Sequence, residues 1–271
     1  MHSSEWFKTL FKTEKPIIAM AHLPALPGTP RYDRIGGIKQ IVEWVKRDVK
    51  ILFEGKVDAI MFCNEDDRPY VFDAGIEQIA AMARVVAEAK PDSIPFGVDF
   101  LWDPMAAMAI AHATGASFIR EVLTGVYESD MGLWSPDAGK LLRFRSQIGA
   151  DGIRVFFNVV PEFASALGFR SPVDRAKSAV VSSLADVILV SGKMAGDEAD
   201  LTIIKNVEKS VDVPVLVNTG VKLENVNDYL GVADGAIVGS SLKKDEVTWN
   251  PVDAKRVKEF MRKVKEIRES A

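Results

Sequence analysis

Eight short apolar runs recur along the chain, and this recurrence restricts the fold more than any other feature. They are PIIAMAHL (16–23), VDAIMFC (57–63), IPFGVDF (94–100), SFIREVL (117–123), IRVFFNV (153–159), ADVILVS (185–191), PVLVN (214–218) and DGAIVG (234–239). Each is nearly continuous in Val, Ile, Leu and Phe instead of alternating with polar residues, the pattern of parallel strands buried on both faces. Between them lie stretches of helical periodicity, such as GIKQIVEWVKRDVKILFEG, GIEQIAAMARVVAEAK and DPMAAMAIAHATG. Eight strand–helix units within 271 residues match the arithmetic of a (β/α)8 TIM barrel. An open doubly wound sheet has the same local alternation. However, no Gly-x-Gly-x-x-Gly follows the first run, and HLPALPGTPRYDRIGG after it is a long loop rich in Pro and Gly. The expectation is an α/β protein with one barrel domain over 1–271 and a short N-terminal extension, 1–15.

Composition narrows the function classes. A formal net charge of −4 argues against a nucleic-acid partner, which calls for a basic balance or stripe. Cys63 is the only cysteine, so an intrachain disulfide and a Cys-rich zinc site are excluded, and a reducing cytoplasm fits. The N-terminal MHSSEWFKTLFKTEK lacks the apolar centre of a secretory signal. No stretch approaches the roughly 18 uninterrupted apolar residues of a membrane span. A cytoplasmic protein without a membrane span is expected.

In such barrels chemistry gathers at the C-terminal ends of the strands and in the loops beyond. That rule selects His22, Asn64 with Asp66 and Asp67, Asp99 with Asp103, Arg120 and Glu121, Asn158 with Glu162 beyond it, and Ser191 with Lys193. The last two runs end in NTG (218–220) and GSS (239–241). Loops after the seventh and eighth strands, with a short extra helix, form a recurrent phosphate site in this fold. Backbone N–H groups of Gly220, Val221, Gly239 and Ser240 are therefore expected to bind a phosphate, with SSLKK as the extra helix. The plainer reading is that Gly220 and Gly239 only make turns.

Across the mouth, Asp99 and Glu121 are expected on one wall with His22 and Asn64. Carboxylates packed together raise each other's pKa and can poise one for proton abstraction; Glu121 is the first choice of general base and Asp99 the second. The plainer readings are an ion pair for Glu121 and a loop-fixing role for His22. The same oxygens suit Mg²⁺ or Mn²⁺, although no spaced His/Asp motif calls for a metal. Lys193 lies in a Gly-flanked loop, which favours an electrostatic role or plain solvation over a Schiff base. Cys63 reads as a small buried hydrophobe. The loop GVYESDMGLWSPDAG (125–139) is long for a strand–helix connection and can cover the mouth. Alternatively, its Tyr127, Asp130 and Trp134, with the apolar WFKTLF near the N-terminus, make a subunit contact in a homo-oligomer.

The segments IIAMAHLPALPGTPRYD, AAMAIAHATGASFIR, TGVYESDMG, LVNTGVKLENV and ADGAIVGSSLK with NPVDAKRVKEF together resemble the BtpA/SgcQ family over nearly the whole chain. The resemblance implies a TIM barrel of the ribulose-phosphate-binding kind. It supplies no reaction, because members carry names from photosystem I biogenesis and from a sugar-utilisation gene region. Many relatives carry Glu-Asn-Phe-Gly-Asp after the second strand, where this chain reads CNEDD (63–67), with Cys63 in place of the glutamate. DFLWDP (99–104) lacks the arginine of the family's third-strand stretch, and Glu121 stands where relatives show Asn. The acidic cluster is shifted, so an identical substrate is not implied. The leading reading is an enzyme acting on a small phosphorylated metabolite, a sugar phosphate, by the acid/base chemistry of isomerisation, epimerisation or retro-aldol cleavage. Its rivals are a non-catalytic assembly or stability factor and a nucleotide- or nucleoside-handling protein that stacks a base on Trp102 or Trp134.

Overall fold

Every apolar run coincides with a strand in the computed structural model, which describes residues 5–194 and 196–270. The strands are β1 (Ile17–His22), β2 (Ala59–Cys63), β3 (Phe96–Asp99), β4 (Phe118–Glu121), β7 (Arg154–Val160), β9 (Val187–Val190), β10 (Val215–Val217) and β11 (Gly235–Val238). They pair in parallel in chain order, and β11 returns to β1 to close the barrel. Helices α2 (Gly37–Glu54), α3 (Ile76–Ala89), α4 (Pro104–Thr114), α5 (Ala138–Gln147), α6 (Pro172–Ser183), α7 (Leu201–Glu208), α8 (Val226–Val232) and α9 (Ala254–Ser270) follow the barrel strands in turn. Several start where a side chain accepts the helix's unpaired N–H groups, as Asp103 does for α4 and Asp200 for α7. No helix among the described residues is long and apolar enough to cross a membrane.

Strand parity separates two cores. Ile18, Met20, Met61, Phe118, Phe156, Leu189, Leu216 and Ile237 fill the barrel. Ile17, Ala19, Ile60, Val98, Ile119, Val155 and Ile188 pack outward with the helices. Phe118 and Phe156 stack in the interior with ring centroids 4.7 Å apart. Gly97 makes room for them, because a Cβ there would lie 2.2 Å from the Phe118 ring.

The N-terminal extension closes the barrel floor. Helix α1 (Glu5–Phe11) buries Phe7 and Phe11, with Phe11 at 5.9 Å from Phe118 and Arg154 lying 4.6 Å over Trp6. At the opposite end, β5 (Tyr127–Ser129), β6 (Gly132–Trp134) and β8 (Ala164–Ala166) form a small antiparallel sheet, so the 125–139 segment is a hairpin and not an open loop. Its Tyr127 and Trp134 are buried, and Trp134 packs 5.1 Å from Trp102. The aromatics expected at a subunit contact are thus largely spent within the chain.

Candidate functional site

The last inward position of each strand decides what the mouth contains. On β4 the inward residues are Phe118 and Arg120, so the guanidinium enters from the centre of the barrel. Arg120 is 6% exposed and lies 2.8 Å from Asp99 and 3.8 Å from Glu162. Its Nη1 donates to Asn218 Oδ1 at 2.9 Å. Asn218 in turn donates to Ser191 Oγ at 2.8 Å, which also accepts from Asn158 at 2.7 Å. Arg120 and the strand-end residues around it thereby share a single network.

Glu121 is not part of it. It follows Arg120 by one residue and falls on the face of Ile119, toward the helices, where its Oε1 accepts the Phe100 N–H at 3.4 Å. The expectation that Glu121 shares the mouth with Asp99 and His22 is corrected by this parity. Asn64 is also spent elsewhere. It accepts from Leu101 N at 2.8 Å and donates to Asp67 at 3.1 Å, tying the loop after β2 to the loop after β3. Asp67 extends that tie to Leu26 N and Thr29. Lys193 is exposed and stands outside the cavity.

His22 does reach the mouth. Its Nδ1 lies 3.1 Å from the Thr248 carbonyl, which can only accept, so Nδ1 carries the proton and Nε2 is left as an acceptor when the ring is neutral. Burial first, and then Lys243, holds its pKa well below 6.5, so the ring is neutral at pH 7. Nε2 faces Glu65 at 3.8 Å.

Glu65 and Glu162 are the acids that line the cavity. Burial pushes both upward, Arg120 pulls both back, and the neighbouring acids push again. For Glu162, 5% exposed, the balance is about 7. Asp99 rises for the same leading reason, although its contact with Arg120 opposes the rise. The Cys63 thiol donates to Glu65 at 3.5 Å and is pushed well up by burial and by Asp99, which suits a buried thiol and not a nucleophile. Among the described residues, no three His, Cys, Asp or Glu side chains are grouped as metal ligands.

Facing these acids, the loops after β10 and β11 present Asn218 to Val221 and Gly239 to Ser240 along the same cavity, whose volume is about 50 Å³. The N–H groups of Gly220, Val221, Ser240 and Ser241 find no acceptor among the described residues. Ser240–Leu242 is a short 3-10 helix, in the place expected for SSLKK. Gly220 has φ +69°, and a Cβ there would lie 2.3 Å from the Asp197 carbonyl oxygen. Its own turn therefore demands glycine, whatever the cavity holds. Gly239 sits against the His22 ring, which a Cβ would meet at 3.4 Å.

The BtpA family model matches residues 13–266. The chain belongs to the BtpA family. It is 45% identical over 265 residues to the putative sgc region protein SgcQ of Escherichia coli K12, an alignment covering 97% of this chain and 99% of that one. It is 30% identical over 258 residues to the photosystem I biogenesis protein BtpA of Synechocystis sp., covering 93% and 88%. Among solved structures, N-(5'-phosphoribosyl)anthranilate isomerase from Pyrococcus furiosus aligns with TM-score 0.52 at 17% identity, over 93% of this chain and 99% of that one. That likeness is one of fold. Within this BtpA-family barrel, the acids facing the cavity are Glu65 and Glu162, neither of which the sequence alone marks as a base.

Proposed function

We propose that this BtpA-family protein is an enzyme that acts on a small phosphorylated metabolite by proton transfer at the barrel mouth. The observation behind the reading is one cavity lined both by Gly220, Val221 and Ser240, whose backbone N–H groups find no acceptor among the described residues, and by Glu162. Such N–H groups suit a phosphate. A carboxyl with a pKa of about 7 is half ionised at neutrality, which suits a general base. Arg120 beside it is placed to stabilise negative charge developing on a substrate oxygen, and neutral His22 offers Nε2 as a second acceptor. The fold neighbour named for a phosphoribosyl compound supports the phosphate half of the reading.

The test does not need the product. A panel of sugar phosphates is incubated in D₂O, and exchange of C–H protons beside the carbonyl is followed by NMR. Wild-type protein exchanges one or a few of them, and Glu162→Gln slows this by on the order of 10²–10⁴-fold. Exchange by the Gln variant at the wild-type rate would remove Glu162 as the base. If no panel member exchanges or binds, the non-catalytic assembly reading takes over, the one to which the Synechocystis relative's name points.

A further inference from the structure

Beside the mouth cavity lies a second space of about 790 Å³, a volume typical of small-molecule pockets. The two share Glu65, Trp102, Phe163 and Thr248 as common walls. The lower cavity holds little more than a phosphate and the atoms next to it, so the bulk of a ligand anchored there needs a neighbouring space. The upper one is larger than the other space that shares His22 and Thr248 with the mouth, about 790 against about 210 Å³. That upper space is walled by rings: Tyr70, Phe72, Trp102, Phe163 and Trp249.

Several of these walls are fixed in place. The Arg68 guanidinium lies 3.8 Å over the Trp249 ring and is held by Asp66 at 2.6 Å. Tyr70 meets Trp102 edge-on at 6.2 Å, and its hydroxyl donates to the Glu65 carbonyl at 3.0 Å. Trp102 is 3% exposed, and its Nε1–H has no acceptor among the described residues. A buried donor without a partner costs free energy until something accepts from it. A polyol would find partners in Glu65, Asp73 and Asp130, which also line this space, but would leave the ring faces without stacking. A flat heteroaromatic ring would instead gain stacking area against the exposed ring faces.

We propose that the substrate is a phosphorylated compound whose far end is an aromatic or heteroaromatic ring seated among Trp102, Tyr70 and Trp249. The proposal rests on the phosphate cradle of the proposed function, and it narrows the metabolite from sugar phosphates in general to ring-bearing ones.

Adenosine or uridine monophosphate and ribose phosphate share the phosphate and the sugar and differ only in the ring. Calorimetry and quenching of tryptophan fluorescence measure their affinities, with inorganic phosphate as a further probe. At least one nucleoside monophosphate binds about tenfold or more tightly than ribose phosphate, the scale of one base–aromatic stacking contact. Trp249→Ala, at a position 45% exposed and so outside the core, removes most of that margin and leaves inorganic phosphate binding unchanged. Equal affinity for ribose phosphate and both nucleoside monophosphates overturns the ring proposal while the phosphate reading stands, as does a margin that Trp249→Ala leaves intact. Failure of every probe to bind overturns the cradle as well.

Discussion

Arg120 carries a full positive charge where almost no water reaches it, and its neighbours are what make that tolerable. Asp99 at 2.8 Å, Glu162 at 3.8 Å and the Asn218 amide at 2.9 Å surround the guanidinium. A buried ion pair gains little over a well-packed apolar pair, but removing one member strands the other in low dielectric. Arg120→Met should therefore lower the unfolding free energy by on the order of 3–5 kcal/mol, measured by urea denaturation. Adding Asp99→Asn should return part of the loss, because the stranded charge is then gone. A strictly additive double variant would show that the two groups are not coupled. Glu121 offers the contrast. Burial and the nearby Asp99 push its carboxyl well upward, toward the protonated form that glutamine imitates. Glu121→Gln should leave the D₂O exchange rate unchanged and cost little stability.

Helix α1 acts as an element: it stoppers the barrel with two aromatic side chains, Phe7 and Phe11, 4.9 Å apart. Both are buried, and truncating a buried Phe typically costs about 3–5 kcal/mol. Phe11→Ala should lower stability on that scale without changing the mass measured by light scattering, since its ring is covered by the same chain. A variant as stable as wild type would mean that α1 does not seat on the barrel floor in solution. The barrel strands themselves were legible in the sequence, because burial on both faces demands continuous apolar runs. The same continuity hides parity. FIRE in β4 carries no period-two signal, so nothing local says that Arg120 points in and Glu121 out. The loops after β10 and β11 were legible as small-residue turns at the ends of adjacent strands, although Gly220 is required by its own backbone. The small antiparallel sheet was not legible, since β5, β6 and β8 are three residues each and β8 pairs with β5 across a long sequence gap. Glu162 lies just beyond an irregularity in β7 pairing between Asn158 and Val160, where strand counting loses its register.

At the scale of the whole molecule, the mouth concentrates buried ionisable groups whose pKa values move in opposite senses, and this gives stability a definite pH dependence. Glu162 shifts from an ordinary 4.5 to about 7, chiefly through burial. Between those two values the native carboxyl holds its proton while the unfolded one has released it. The native state then binds more protons, so unfolding free energy falls as pH rises through this window and stays reduced above it. Glu65 and Asp99 contribute with the same sign. His22 opposes them: its native pKa lies well below 6.5, so the unfolded chain takes up the proton first and stability falls on acidification below about that value. The wild-type profile sums these trends with those of the surface carboxylates and does not isolate one group. Glu162→Gln does, through the difference between two curves. The variant's unfolding free energy minus that of wild type should climb from about pH 4.5 and level off just above pH 7. One proton's difference gives a slope of about 1.36 kcal/mol per pH unit, so the climb reaches at most roughly 3 kcal/mol. Urea melts at half-unit pH intervals would trace it. A flat difference across the same pH window would mean that Glu162 ionises as an ordinary carboxylate, leaving the proposed base fully charged at neutrality and poorly matched to abstracting a carbon-bound proton.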